Sequence, residues 1–385
     1  MSAITFDENS SEFGKVLRKR VNHYLKENNL QHTANWSSKL QMVALFLTNF
    51  LVYGLLVFGH HSTLVNVFLC IMQGLLIASV GFNILHETVH SNISKNPKIA
   101  NSLRYAWEIM GACNKFYNFR HVVIHHSFTN IPGTDADIET GGVLRFAPTQ
   151  EYKPHHRFQH LYGFFLYMLV TLDWVWHGDY ETLKTQKVGS NKMPPLSTRD
   201  IRLFYFFKLN HAVLALAIPT FFHPFLSVLG SYILVQAVAG FVLGVVFSLA
   251  HVYYNAAFPA ANEKNNQIAE GWAAHQVKTT KNFANSNRFL SRYLGGLNYQ
   301  VEHHLFPRLY NGYYPIIKPI VMQTCKEFGL EYQEFKTVRE AVVSHYHHLY
   351  QMGHPNTVVK SDLNFDRSIS DRDLFQQNLK KQTLG

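Results

Sequence analysis

Apolar residues along this chain gather into two long blocks, set between stretches that hold all the basic charge. Residues 40–94 and 209–263 contain no Lys or Arg, and their only acids are Glu87 and, at the end of the second block, Glu263. A helix needs about 20 mainly apolar residues to cross a bilayer. Each block therefore holds two spans and a short turn. The pattern predicts spans near 41–59, 64–85, 204–223 and 227–250, with turns around residues 59–63 and 223–224. The expected fold is an all-α integral membrane protein, with four transmembrane helices in two hairpins and helical segments between them. A further apolar run, "HLYGFFLYMLVTLDWVW" (160–176), is about one span long. As a fifth span it would move the basic residues after it to the other side, so a helix lying along the interface fits better.

The remaining segments divide the chain. Residues 1–39 read as a polar arm followed by an amphipathic stretch, "EFGKVLRKRVNHYLKENNL", expected to lie on the membrane surface. Residues 40–350 carry the spans and all the candidate chemistry. From 351 to 385 the sequence is polar and aperiodic, and is expected to be a disordered tail.

Charge then sets the orientation. The 385 residues carry 35 Lys and Arg against 25 Asp and Glu, a net charge of +10. The mean hydropathy of −0.08 alone would suit a soluble protein; the segregation of charge argues otherwise. By the positive-inside bias, the basic segments and both termini face the cytoplasm and the two turns face outward. Attraction to anionic headgroups accounts for the excess positive charge, and no basic run is dense enough for a nucleic-acid partner. The N-terminus, "MSAITFDENSSEF", lacks the basic-then-apolar order of a cleaved signal peptide. Three scattered cysteines, Cys70, Cys113 and Cys325, form neither a CxxC pair nor a disulfide framework, which argues against sulfur ligation.

Histidines carry the chemistry. Of 23 in the chain, eight fall into four groups on the expected cytoplasmic side. His86 and His90 follow the second span. His121, His125 and His126 lie in "FRHVVIHHSFTN", His251 closes the fourth span, and His303 and His304 follow Gln300 in "QVEHH". On an α-helix, residues i and i+4 share a face, so His86/His90 and His121/His125 should each point one way. An adjacent pair diverges by about 100° and can reach two different ions. Two such pairs suggest two metals. The others, including His60, His61, His155, His156, His347 and His348, read as ordinary interfacial or hydrogen-bonded side chains.

His86-Glu87-Thr88-Val89-His90 spells H-E-x-x-H, the signature of zinc proteases. Such an enzyme needs three protein ligands and one open position, which would leave five clustered histidines without a task. A large all-nitrogen ligand set suits iron among other borderline metals. Two irons beside a bilayer fit O2 activation against an unactivated lipid C–H bond. Glu87 then becomes a carboxylate supporting the ligands rather than a protease base.

The three motifs H-x-x-x-H (86–90), H-x-x-x-H-H (121–126) and Q-x-x-H-H (300–304) resemble the histidine boxes of integral-membrane fatty-acid desaturases. Gln at the head of the third box is typical of the front-end branch, which inserts a double bond between an existing one and the carboxyl end. "HHSFTNIPGTDADIETGGVLRFAP" (125–148), "WAAHQVKTTKNFA" (272–284) and "GGLNYQVEHHLFPRL" (295–309) are similar to bacterial members of the linoleoyl-CoA type. The resemblance covers roughly residues 40–350.

It implies a cytoplasmic helical cap with a diiron site ligated by His86, His90, His121, His125, His126, His251, His303 and His304. Gln300 stands where related desaturases have a ninth histidine, leaving direct ligation, ligation through water and no ligation open. His275 competes with His251 and is assigned instead to substrate or to support of the ligands. Asp135, Asp137 and Glu302 are candidates to orient ligand imidazoles, with solvated loop positions as the alternative. O2 would be the co-substrate, reduced to water as two hydrogens leave neighbouring carbons. The acyl group would be carried by CoA, a carrier protein or a glycerolipid. The sequence contains no H-P-G-G haem motif, so electrons are expected from a separate ferredoxin or b-type cytochrome with its reductase. Hydroxylation by the same centre is the alternative outcome, and a structural metal site a distant third.

Overall fold

The computed structural model describes residues 4–355 and is built almost entirely of helices. Among the described residues, sheet is confined to three two-stranded pairs of two residues per strand. Four helices are long and apolar enough to cross a membrane: Trp36–Phe58, Thr63–His90, Thr198–Phe221 and Phe225–His251. They match the four expected spans. The second runs five residues past its expected end, so His86 and His90 continue the span itself. Asn35 starts the first span, its side chain accepting a hydrogen bond from Ser38 N. A reciprocal pair between Ser197 and Asp200 starts the third.

The bundle exposes the apolar side chains that a lipid solvent requires. Leu64 is 81% exposed and Leu226 79%, with Leu47, Leu51, Phe68 and Leu209 also open. Several polar groups inside are paired across the bundle. Gln73 Nε2 donates to Asn49 Oδ1 at 2.9 Å across the first hairpin, and Tyr53 Oη donates to Leu214 O at 2.6 Å, joining first and third spans. Lys208, in the third span, is buried and hydrogen-bonds Gly111 O, Val175 O and Asp179 Oδ2 at 2.6–2.8 Å, pinning that span to the cap.

The apolar run at 160–176 is not one rod. It breaks after the helix Gln159–Tyr167 and resumes at Val170–Asp173. Tyr167 and Thr171 pack on the fourth span, where a Cβ at Gly240 would meet Tyr167 O at 2.8 Å. Glycine is what permits that approach.

The N-terminal segment differs from its expectation. Helix Glu12–Glu27 does have an apolar stripe (Phe13, Leu17, Val21, Leu25), but the stripe is buried in protein against Ile317, Val321 and Cys325, not laid on lipid. The i, i+4 spacing is the same for either partner, and the neighbouring helix Tyr314–Glu327 supplies the better-packed one. The preceding residues Thr5–Phe6 pair in parallel with Gln267–Ile268. At the other end, helix Val338–Gly353 passes the expected boundary at 350. The expected tail from 356 onward lies outside the described residues.

Candidate metal centre

The four histidine groups meet where the second and fourth spans enter the cap. A π-helical turn, Gly81–Leu85, precedes His86, and a second, Phe119–His125, carries His121 and His125. Such widened turns are rare and concentrate at functional sites. The second one keeps His121 and His125 stacked, with ring centroids 5.5 Å apart, and adds a further neighbour. Residues five apart are brought together, so His121 approaches His126, with 3.2 Å between their Nε2 atoms. The third box sits on the short helix Gln300–Leu305. Gly295, with φ +57°, lets the loop before it pass close to the second span, where a Cβ would meet Phe82 O at 3.0 Å.

Two clusters result. His86, His90, His121, His126 and His303 form one and His125, His251 and His304 the other, their ligand atoms lying within 4.8 Å of one another in each. The adjacent pairs, His125–His126 and His303–His304, divide between them. All eight side chains are buried.

The donor chemistry fits metal ions. His86 Nε2 and His121 Nε2 lie 2.9 Å apart. Two nitrogens each about 2.0–2.1 Å from one ion, at right angles, would be separated by about 3 Å. Nε2 of His90, His303 and His304 are buried with no hydrogen-bond partner, which is costly unless something else binds them. Burial, followed by the neighbouring imidazoles, holds His126, His303 and His304 well below the usual histidine range. Both effects favour the neutral form, the one that ligates.

The outward nitrogens are held by protein. His125 Nδ1 lies 3.0 and 3.2 Å from the two oxygens of Asp135. Asp135 is buried, and also accepts from Asn130 N at 2.8 Å and Asp137 N at 3.0 Å. Burial works against charge on His125, but the Asp135 and Asp137 carboxylates outweigh it and raise its pKa. His304 Nδ1 lies 2.9 Å from Gln276 Oε1, His303 Nδ1 3.1 Å from Tyr314 Oη, and His251 Nδ1 3.3 Å from Thr279 O. Fixing the far nitrogen in this way sets both tautomer and ring direction.

The other candidates separate by contact. Asp137 reaches His125 Nδ1 at 3.5 Å and is bound by Arg120. Glu87 Oε1 lies 3.5 Å from His86 Nδ1, and Glu87 Oε2 accepts from Asn311 N at 3.4 Å. His275 stands outside both clusters, with Nε2 2.8 Å from Thr129 O. Glu302 bonds Asn282 Nδ2 at 2.8 Å and Tyr332 Oη at 2.7 Å, and none of its hydrogen bonds goes to a ligand imidazole. Burial raises its pKa against those hydrogen bonds. Gln300 is buried one turn before His303 and His304.

Gln276, Tyr314 and Thr129 escape sequence reasoning, although Gln276 adjoins His275. Gln276 and Tyr314 are unmarked because each reaches the cluster through tertiary packing, whereas Thr129 lies four residues after His125 and donates to its carbonyl at 2.7 Å.

Beside the clusters, Tyr117 stacks on His121 with ring centroids 5.1 Å apart. It lines a small cavity with Trp107, Trp174, Leu243 and Phe247. Ile77, Met110 and Gln236 border both this cavity and a larger one, about 190 Å³, running on between the spans. The walls are mainly apolar and aromatic, suited to a methylene chain.

The chain is similar to known proteins along most of its length. The fatty acid desaturase family profile matches residues 61–336. The sn-1 linoleoyl-lipid 6-desaturase of Arthrospira platensis is 33% identical over 353 residues, covering 91% of this chain and 95% of that protein. Its counterpart in Synechocystis sp. is 31% identical, covering 89% and 95%. The acyl-lipid (8-3)-desaturase of Physcomitrium patens is 32% identical, covering 90% and 73%. With its family profile across most of the chain and its histidine clusters at the membrane boundary, this protein belongs to the fatty acid desaturase family and is a fatty-acyl desaturase, an oxidoreductase.

Proposed function

We propose that the chain is a front-end acyl-lipid desaturase that places a cis double bond in an acyl chain, using two irons, O2 and an external electron donor. The observation that carries this reading is the division of eight buried imidazoles into two adjoining clusters beside an apolar cavity. The relatives' names, which specify linoleoyl-lipid and acyl-lipid substrates, support a glycerolipid carrier over CoA or a carrier protein. Among the described residues no cysteine joins the candidate ligand groups, which also supports nitrogen ligation.

His86, His90, His121, His126 and His303 would hold one iron, and His125, His251 and His304 the other, with Gln300, one turn before His303 and His304, as a further candidate directly or through water. When bound, the pair supplies O2 activation strong enough to remove hydrogen from a methylene. The chain's own work is positioning. Asp135, Gln276, Tyr314 and the Thr279 carbonyl fix the imidazoles before substrate arrives. Trp107, Tyr117 and Phe247 line a dry slot beside His121 that would hold one methylene pair against the clusters. The basic segments flank the spans on the side that carries the site, so the site and both termini are assigned to the cytoplasm.

Expression in a host of known fatty-acid profile tests this, with any new double bond located by mass spectrometry and the purified protein analysed for metal. We expect a new cis double bond on the carboxyl side of an existing one, and about two irons per chain. A hydroxylated product would redirect the chemistry. Stoichiometric zinc in an iron-free, active preparation would overturn the diiron assignment.

A further inference from the structure

On the reading proposed above, each turnover needs electrons from outside. Removing one hydrogen from each of two neighbouring methylenes yields two electrons and two protons. Reducing O2 to two waters consumes four of each, so a donor must supply two electrons while solvent supplies two protons. The ligand imidazoles are all buried, and the electrons must cross the protein that covers them.

Most side chains touching the ligands are buried as well: Asp135, Gln276, Tyr314 and Glu87 are closed to solvent. Asp137 differs. Its side chain is 32% exposed, yet Oδ2 lies 3.5 Å from His125 Nδ1, and it groups with His121 and His125 as a potential ligand set. At the surface its other oxygen is held by Arg120 Nε at 2.7 Å, while Arg120 also donates to Ala136 O. Here one carboxylate separates solvent from two ligand imidazoles.

Beside that point stand two exposed lysines. A hairpin formed by Lys187–Val188 and Asn191–Lys192 is fastened over the loop that carries Asp137. Ser190 Oγ donates to Gly133 O at 2.6 Å and Asn191 Nδ2 to Thr134 O at 2.8 Å, with Val188 packed on Ala136. Lys187 and Lys192 are exposed and make no ion pair among the described residues. The acids nearby are engaged: Asp137 with Arg120, Asp200 with Lys115, and Glu139 Oε1 with Gly133 N at 2.9 Å.

We propose that this face, Arg120–Asp137 with the Lys187–Lys192 hairpin beside it, docks an acidic one-electron carrier protein and is where electrons enter. The partner is defined by charge complementarity to the lysines and by the need to bring its redox group over Asp137. A one-electron carrier would dock twice in each turnover. Rim charges of this kind act mainly on the rate of encounter and its salt dependence.

The test is anaerobic reduction of the purified, iron-loaded enzyme in a neutral detergent, followed by stopped-flow absorbance. One reductant is a soluble, acidic [2Fe–2S] ferredoxin and the other is dithionite. For the double variant Lys187→Glu/Lys192→Glu we expect the second-order rate with ferredoxin to fall at least ten-fold and to lose most of its salt dependence. Its rate with dithionite and its iron content should match wild type. Lys326→Glu, an exposed charge reversal elsewhere on the cap, should leave the ferredoxin rate within two-fold.

An unchanged ferredoxin rate in the double variant overturns the proposal. So does an equal loss in Lys326→Glu, which would reflect net charge alone. A defect seen only in nanodiscs of anionic lipid would assign the hairpin to headgroups instead. Wild-type protein that holds no iron and is not reduced by dithionite would refute the metal reading itself, and this inference would fall with it.

Discussion

Gln276 illustrates how one side chain can control a metal site without touching the metal. Its Oε1 is 2.9 Å from His304 Nδ1 and also accepts from Thr129 Oγ1 at 2.8 Å. Removing such a contact typically costs 10–100-fold in metal affinity or activity. Gln276→Leu should therefore lower both product and bound iron by about that factor, whereas Gln276→Glu, which keeps an acceptor, should retain more of each. Equal iron in Gln276→Leu and wild type would show that His304 needs no such support. Gln300 poses a different question, because its amide oxygen can ligate weakly but its nitrogen cannot replace imidazole. Gln300→His should remain partly active, and Gln300→Ile should lose most activity at similar volume. Double bonds formed per unit of membrane protein decide this; wild-type output from Gln300→Ile would make Gln300 a packing residue only. The eight histidines that cluster were legible in the sequence because motif spacing picks them out. Gln276 and Tyr314 were not, since they stand 28 and 11 residues from their imidazoles and only folding brings them there.

At the scale of elements, the spans were readable because a bilayer enforces length and apolarity on any helix that crosses it. The π turns were not. A widened turn leaves the histidine spacing unchanged while it adds a partner, and so His121 meets His126 as well as His125, the neighbour an α-helix alone would give it. The amphipathic helix Glu12–Glu27 was legible as a helix and mistaken in its partner. Because its stripe is buried in protein, Leu17→Ala should cost about 2–5 kcal/mol and lower the Tm in detergent by several degrees. The same change at lipid-facing Leu47, 62% exposed, should barely move it. Matching shifts for the two would return the helix to the membrane surface. The third span depends on a buried ion pair, Lys208 Nζ to Asp179 Oδ2 at 2.8 Å. Lys208→Met strands the carboxylate, at a cost of about 3–5 kcal/mol. Adding Asp179→Asn should recover at least half of the lost stability, and no recovery would mean that Lys208 acts through its two carbonyl contacts instead.

Across the whole molecule, two hairpins of opposite-running spans put every histidine cluster at one end of the bundle and the two short turns at the other. This arrangement places the redox site at one membrane face and leaves the cavity between the spans to run toward the other, so an acyl chain could extend into the bundle with its reacting methylenes at the cap. The proposed assignment of the histidine face to the cytoplasm rests on charge: the segments outside the two apolar blocks carry all 35 basic residues, and short basic flanks tend to be retained inside. The protein is well suited to a direct test, because Cys70, Cys113 and Cys325 are all buried and free and should give little background labelling. Ser62, in the first turn, and Lys95 and Lys264, on the cap side, are exposed. With a membrane-impermeant maleimide applied to intact spheroplasts, Ser62→Cys should be labelled, while Lys95→Cys and Lys264→Cys should react only after permeabilisation. The reverse pattern would put the histidine clusters outside the cell, away from any cytoplasmic electron donor, and would overturn both the orientation and the docking face inferred from it.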